Sequence, residues 1–291
     1  MKKIVVTGGS GSPERGVGAS IVRDLLDRGY EVRNLDILPP RANPQAEYRQ
    51  VDLSHYGDTF ANLHGADAVV HLAANAKPDF DHFTGAQRFH LNTLMAYNVF
   101  QSAVALGIDR VVWASSETVL GFPYDTPPEL VPTHDDDPPI PTGSYGISKA
   151  VVENLAEHLH RLHGTTFIGL RFSNVYYDNA GSETDYQDLP PFWDKPKEKK
   201  FNLWGYVDHR DIAQGVYRAL TSSVTGARNY TLAAADTNMK MTNEELVALC
   251  FPGTRIRPGT GAHDTLIGID RAREELGYDP QYSWRDILGE N

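Results

Sequence analysis

Short runs rich in Val, Ile and aromatic residues alternate with stretches of helical period through the first 172 residues. KIVVT at 3 to 7, EVRNLD at 31 to 36, EYRQV at 47 to 51, DAVVHLA at 67 to 73, RVVWAS at 110 to 115 and TFIGLRF at 166 to 172 read as strands. Helical patterns fill about 16 to 28, 86 to 106 and 144 to 163. Strands and helices in strict alternation predict right-handed βαβ units, because a right-twisted strand feeding a right-handed helix packs back onto its sheet only that way. The fold class expected is α/β, a doubly wound parallel sheet of about seven strands.

The rhythm breaks after Phe172. Residues 173 to 205 read as a long loop carrying aromatics, acids and the pair Pro190-Pro191, and a loop of that length usually has a function. Helical patterns return at 209 to 221, 242 to 250 and 268 to 275, which predicts a small C-terminal lobe over the C-terminal edge of the sheet. Ligands belong in the cleft between the two. The runs HDDD at 134 to 137 and KPKEKK at 195 to 200 read as solvated loop charge.

Composition narrows the function. With 291 residues, 41% of them hydrophobic, the chain can bury a substantial core, and one large domain or two smaller ones fit the length. A net charge of −11 argues against nucleic acid and anionic membranes as partners, since both are bound through basic surface. Cys250 is the one cysteine, so no internal disulfide is expected and a reducing, cytoplasmic setting fits. The apolar stretch Ile4 to Val6 is too short for an export signal, and no run approaches a membrane span.

TGGSGSPERGVG follows the first strand and opens the first helix, the context in which a glycine-rich turn holds a dinucleotide. Gly8 and Gly11 let backbone approach a pyrophosphate, and Gly18 lets the helix lie close to the sheet. Asp36 ends the second strand 18 residues beyond Gly18, near the spacing at which a carboxylate meets the adenosine ribose hydroxyls. That favours NAD. NADP is the lesser alternative, because its 2′-phosphate would meet the carboxylate, although Arg15, Arg33 and Arg41 lie near in sequence.

In SYGISK, Tyr145 and Lys149 stand four residues apart and share a helix face. A cation about 4 Å away at an effective dielectric near 20 contributes roughly 4 kcal/mol, enough to lower a phenol by about three pKa units. Such a tyrosine can exchange a proton with a substrate hydroxyl. Ser115 and Ser116, with Glu117 and Thr118 behind them, end the strand RVVWAS at the same sheet edge, where a hydroxyl can orient the substrate oxygen.

These residues resemble the extended short-chain dehydrogenase/reductases, also called the NAD-dependent sugar epimerase/dehydratase family. The likeness runs through TGGSG, Asp36, Asp52-Leu53, HLAA at 71 to 74, SSETVLG at 115 to 121, YGISK, RFSNV at 171 to 175, YVDHRDIA at 206 to 213 and ELGYDPQYSW near the C-terminal end. It implies a Rossmann-like NAD-binding domain over 1 to 172, to which 206 to 232 returns, and a substrate lobe of 173 to 205 and 233 to 291. It further implies Tyr145 as acid/base, Lys149 on the nicotinamide ribose and lowering the tyrosine pKa, and Ser116 on the reacting hydroxyl. Asp52 and Leu53 would meet adenine, Ala73 and Ala74 the ribose side, and Asn174 and Val175 the nicotinamide end, with Ser115 beside them. Asn75, Ser116, Glu117, Asn174, Trp204 and Arg257 would face substrate. A homodimer through the helices near 86 to 106 and 144 to 163 is implied as well.

The chain departs from the family pattern at three places. Gly11 and Gly18 stand seven apart instead of three, with Pro13, Glu14 and Arg15 in the insertion. Thr118 occupies the position of the dehydratases' proton-abstracting Glu, which argues against dehydration. Trp204 stands where nucleotide-sugar enzymes carry a pyrophosphate-binding Arg, while Arg257 in RIRPG matches a second such Arg.

The loop from Phe172 to Asp194 has no Lys or Arg. It offers Asp178, Glu183, Asp185 and Asp188 with Tyr176, Tyr177, Tyr186, Phe192 and Trp193, a surface suited to neutral polyols. A uronate or sugar phosphate would lack a bidentate Arg there. The likeness extends to the uronate dehydrogenase branch around YGISK and in the short C-terminal lobe. His160 and His163 lack a third ligand, so no metal is expected. The function expected is NAD-dependent dehydrogenation at a sugar hydroxyl. A nucleotide-sugar epimerase that retains its NAD is the alternative within enzymes, and a dinucleotide-sensing regulatory module the alternative outside them.

Overall fold

The computed structural model describes residues 1–11, 16–76, 82–124, 126–178 and 185–290. The amino-terminal half runs β1 (Lys3–Thr7), α1 (Val17–Asp27), β2 (Glu31–Asp36), β3 (Glu47–Gln50), α2 (Tyr56–Leu63), β4 (Ala68–His71), α3 (His82–Ala105) and β5 (Arg110–Ser116). It continues with β6 (Leu130–Val131), α4 (Ser144–His163), β7 (Thr166–Phe172), β8 (Val175–Tyr176), β9 (Val207–Asp208), α5 (His209–Thr221), β10 (Ala227–Leu232), α6 (Asn243–Cys250), β11 (Arg255–Ile256) and α7 (Trp284–Leu288). Seven strands form one sheet in the order β10-β7-β5-β4-β1-β2-β3, every pair parallel. This is the doubly wound Rossmann-like sheet, whose order reverses between β1 and β4 and opens a crevice at their C-terminal ends.

Hydrophobic spacing decides which face each helix buries. In α1 the buried positions are Gly18, Ile21, Val22 and Leu25, one stripe at i, i+3, i+4 and i+7. Ile21, Val22 and Leu25 join Val216 and Leu220 of α5 and Ile4, Val6 and Val70 of the sheet in one core layer. The opposite layer packs Leu63 of α2, Val99 and Phe100 of α3, and Val152 and Ala156 of α4 against Val5, Val69 and Val111. All four residues of β4 are buried, as expected for a strand covered on both faces.

Two short parallel ladders, β6 with β11 and β8 with β9, tie together the segments that follow the sheet. A third cluster, built on Tyr176, Tyr186, Tyr206 and Trp284, holds the stretch after β7. Between 185 and 202 the chain is a series of single 3₁₀ turns, where the sequence suggested only loop. Three other elements differ from expectation. α2 and the five-residue α7 were not foreseen, and the pattern at 268 to 275 yields one π-type turn, Ala272–Leu276.

The run at 134 to 137 is not uniformly solvated. Asp135 is buried, accepting from the Thr231 hydroxyl at 2.6 Å and lying 3.7 Å from Arg171, so a charge with a cationic partner on β7 was hidden among exposed neighbours. Among the described residues, no helix is long and apolar enough to cross a membrane, and no group of three His, Cys, Asp or Glu is placed to hold a metal ion. His160 closes the end of α4 instead, its Nδ1 2.9 Å from the Thr165 carbonyl. Cys250 is buried and unpaired.

Candidate active site

The glycine turn sits at the crevice. Gly8 and Gly11 have φ of +72° and +54°, which side chains with a Cβ rarely adopt. A Cβ on Gly8 would stand 2.7 Å from the Ala73 nitrogen, and one on Gly18 would stand 2.1 Å from the Gly8 carbonyl oxygen. Turn, α1 and the segment after β4 therefore meet through bare backbone. Gly11 would meet the Gly16 Cα at 2.7 Å, so the chain returns to its own departure point across the insertion. Pro13, Glu14 and Arg15 lie outside the described residues.

α1 begins at Val17 with Gly16 as its N-cap, and among the described residues no side chain caps it and no acidic residue stands in its first turn. Its first N–H groups and dipole are thus left for an anion, and this bare cradle fits the pyrophosphate of NAD.

Asn34, which the sequence did not single out, accepts from the Gly9 N–H at 3.0 Å and donates to Ser10 Oγ at 3.1 Å. A polar residue inside the buried run of β2 was the available signal. Asp36 accepts from the N–H groups of Ser10 and Leu38, both at 3.0 Å, so it shapes the turn at the crevice edge. Arg33 is committed to Glu47 and to the carbonyls of Asn62 and His64, which removes it as a 2′-phosphate ligand.

Asp52 is exposed and accepts from the Ser54 N–H, which holds its carboxyl below the usual range. The Leu53 side chain belongs to the core, and its carbonyl accepts from the Asn98 amide. Ala73 packs beside Gly8, and Ala74 and Asn75 are exposed after it, with the Asn75 backbone exchanging two hydrogen bonds with the Asn92 side chain.

β5 ends in Ser115 and Ser116, and the first turn of α4 brings Tyr145 against them. Gly146 makes this approach possible, since a Cβ there would lie 2.9 Å from the Thr118 carbonyl oxygen. Ser116 hydrogen-bonds to Tyr145. Ser115 faces the other way, donating to Glu153 at 2.7 Å. Lys149 shares the Tyr145 face of α4 with its Nζ 5.6 Å from the ring centroid, and it donates to the Ala114 carbonyl at 2.6 Å.

One expectation needs correction. Lys149 does not lower the phenol in the chain alone: burial pushes Tyr145 up to about 12, opposed by the Ser116 hydrogen bond and reinforced by Glu117. The ammonium is spent on Ala114 and is itself desolvated, its pKa brought down to about 8 despite Glu153. His71, also not singled out, lies in the same buried layer, with Nδ1 2.8 Å from Thr7 Oγ1. Burial, with Lys149 adding to it, brings its pKa down to about 3, so it stays neutral.

Glu117 is buried on the turn after Ser116. Its carboxyl accepts from Ser173 Oγ at 2.6 Å and from the Asn202 amide at 3.3 Å, and burial raises its pKa to about 7 against those two bonds. Asn174 is exposed at the start of the loop after β7, and its carbonyl accepts from the Val207 N–H across the β8–β9 ladder that includes Val175.

The aromatic loop is mostly structure rather than surface. Tyr176 and Tyr186 are inside the third cluster, with the Tyr186 hydroxyl on Asp208, and Trp193 packs on Trp284 at 5.0 Å. The aromatic surface expected to meet a polyol is to that extent used up by packing, although Tyr177, stacked on His209, and Asp178 remain half-buried. Glu183 lies outside the described residues. Trp204 is wholly buried, its indole N–H donating to the Pro196 carbonyl, and Arg257 donates from Nε to the Pro132 carbonyl.

A parallel doubly wound sheet, a bare glycine turn at its crevice and a Ser/Tyr/Lys set at the same edge define a dinucleotide-dependent enzyme of the short-chain dehydrogenase/reductase type. Residues 4–233 match the NAD dependent epimerase/dehydratase family, and the chain belongs to that family, whose cofactor is NAD. It is 25% identical over 321 residues to the UDP-glucose 4-epimerase of Azospirillum brasilense, covering 98% of this chain and 89% of that one. The uronate dehydrogenase of Agrobacterium fabrum is 29% identical over 224 residues, covering 75% and 72%. Among solved structures, the UDP-glucose 4-epimerase of Thermotoga maritima, crystallised with UDP-glucose, superposes with a TM-score of 0.71 at 20% identity, covering 97% and 94%, and so shares the fold.

Proposed function

We propose that the protein is an NAD-dependent dehydrogenase acting on a hydroxyl of a sugar that is not linked to a nucleotide. The observation that carries the reading is the meeting of Ser116, Tyr145 and Lys149 at the crevice edge that also holds the glycine turn. Ser116 and Tyr145 hold the substrate hydroxyl, Tyr145 takes its proton, and Lys149 fixes the ribose beside them. NAD, when bound, supplies the hydride acceptor. Glu117, Asn75 and Asn174 line the substrate side. The burial of Trp204 supports a substrate without a diphosphate, since the side chain at that position is committed to the core.

Nucleotide-sugar epimerisation is the second reading, favoured by the epimerases among the relatives and by Arg257, whose guanidinium is part-exposed near Asp137. In that reading NAD survives purification and no net NADH forms.

We place the NAD-binding unit at 1 to 172 with 206 to 232, and the substrate lobe at 173 to 205 and 233 to 291. A cytoplasmic homodimer completes the proposal, supported by the exposed Leu91 and Tyr97 of α3 and Ile147 and Val151 of α4, two helices packed side by side. The test is NADH production against a panel of free and nucleotide-linked sugars. Turnover with a free sugar that disappears in Tyr145→Phe while NAD still binds is the expected result. Turnover unaffected by that substitution would overturn the assignment.

A further inference from the structure

Residues that follow β6 and β11 line a cavity of about 350 Å³. That volume lies within the roughly 300 to 1,000 Å³ of small-molecule sites. Thr133 and Asp135 line it after β6, Arg257 after β11, and Gly268 and Arg273 further along the chain. A Cβ on Gly268 would stand 2.0 Å from the Thr133 carbonyl oxygen, so two of its walls touch through bare backbone.

The cavity is separate from the catalytic crevice. Ser116, Glu117, Tyr145, Lys149 and Asn174 do not line it. Ile267, which bridges to Thr133, sends its side chain to Gly205 beside Ser173, the residue that holds Glu117, and does not line it either.

Two buried oxygens of its lining residues lack a partner. Thr133 and Asp135 are only 4% and 7% exposed, and Thr133 Oγ1 and Asp135 Oδ2 make no hydrogen bond among the described residues. The other Asp135 oxygen, Oδ1, accepts from the Thr231 hydroxyl and lies 3.7 Å from Arg171. Buried polar atoms are nearly always hydrogen-bonded. A hydroxyl and a carboxylate oxygen left unpaired in one cavity mark a place for a guest with hydroxyl groups of its own.

Two of the three arginines at the cavity keep free donors. Arg271 is tied to Asp136 at 2.6 Å and to Glu275 at 3.1 Å. Arg273 has only Asp270 at 3.8 Å, beyond hydrogen-bond distance. Arg257 spends Nε on the Pro132 carbonyl, and its Nη2 lies 3.9 Å from Asp137. A guanidinium fork with free N–H groups matches the paired oxygens of a carboxylate or phosphate.

We propose that this cavity is a second ligand site, apart from the catalytic crevice, for a polyol that carries an oxyanion. The hydroxyls of the polyol meet Thr133 and Asp135, and its phosphate or carboxylate meets the guanidiniums of Arg257 and Arg273. Nothing at this site depends on which reaction the crevice carries out.

The experiment is calorimetric titration of the NAD-loaded protein with gluconate, glucose 6-phosphate, inorganic phosphate and sorbitol, using wild type, Thr133→Val, Arg273→Gln and Tyr145→Phe. Thr133→Val keeps the side-chain shape and removes the hydroxyl. Arg273 is part-exposed, its side chain 43% accessible, so its replacement tests the site without a threat to folding. Gluconate or glucose 6-phosphate is expected to bind once per chain, and the one that binds identifies the oxyanion. Thr133→Val and Arg273→Gln should each weaken that ligand about tenfold, and Tyr145→Phe should leave it unchanged. Sorbitol and inorganic phosphate should bind at least about tenfold more weakly, since each engages half of the site.

Three results would overturn the proposal. Binding of neither charged polyol leaves a cavity filled by water alone. Equal affinity in wild type, Thr133→Val and Arg273→Gln puts the ligand elsewhere. Inorganic phosphate as tight as glucose 6-phosphate shows an adventitious ion only.

Discussion

Arg171 grips Glu153 through two parallel hydrogen bonds, Nε to Oε1 at 2.9 Å and Nη2 to Oε2 at 2.8 Å, with both residues buried beneath Ser115. The same Glu153 oxygen accepts from Ser115, so the strand end that carries Ser116 is fastened to α4 by this fork. Replacing Glu153 with Ala removes both close hydrogen bonds of a buried guanidinium and leaves it only Asp135, 3.7 Å away, as counter-charge. We expect a loss of about 3 to 5 kcal/mol in unfolding free energy, measured by urea denaturation. The triple replacement Glu153→Leu, Arg171→Met and Asp135→Asn should cost markedly less, because it removes the whole buried charge cluster and leaves none unpaired.

Glu117 predicts a pH-dependent stability difference. Its folded pKa, about 7, lies above the ordinary 4.5, so the folded chain holds a proton that the unfolded chain has released. The stabilisation is fully present below about 4.5 and is lost as pH rises through about 7. Glu117→Gln removes this dependence. Relative to the variant, wild type should lose up to roughly 3 kcal/mol across that window, read from denaturation midpoints at successive pH values. Parallel stability curves for the two proteins would contradict the assignment.

Gly18→Ala tests the contact between α1 and the glycine turn. The added methyl would stand 2.1 Å from the Gly8 carbonyl oxygen, so helix and turn must separate. Overpacking of this kind costs about 1 to 3 kcal/mol. NAD affinity, followed by calorimetry, should fall by at least tenfold, whereas Gly57→Ala, which meets nothing within 4 Å, should leave affinity unchanged.

Trp204→Arg tests the nucleotide question. Trp204 is fully buried and packs edge-on against Phe251 at 5.6 Å. Leu203 and Trp204 both have positive φ, +56° and +55°, at a cost of order 1 to 3 kcal/mol each that the surrounding packing must offset. An arginine there would enter the core without a partner. We expect a strongly destabilised protein and no gain in turnover of nucleotide-linked sugars. A folded variant that acquires such turnover would show that the position faces the cleft.

Much of this was legible in the sequence because the signals are local. β-branched and aromatic runs mark six of the seven sheet strands; the seventh, Ala227–Leu232, falls inside the returning segment 206 to 232 and is not marked as a strand. Glycine spacing and the Tyr145/Lys149 interval marked the crevice. What escaped depends on partners distant in sequence. α2, YGDTFANL, buries only Thr59 and Leu63, too sparse a stripe to declare a helix. Asp135 looked like its solvated neighbours until Arg171, 36 residues away, was placed beside it. The shift of Tyr145 was misjudged for the same reason. The i, i+4 spacing with Lys149 is visible in the sequence, but the loss of water and the Ala114 carbonyl that captures the ammonium are not.

Three successive amide protons of the glycine turn are already engaged by β2. Gly8 donates to the Leu35 carbonyl, Gly9 to the Asn34 side chain and Ser10 to Asp36. These three amide protons are therefore not available to wrap around a guest. Negative charge must be received further along, where α1 begins, so the rigid staircase from Gly8 to Ser10 acts as a spacer that fixes how far the arriving phosphates stand from the sheet.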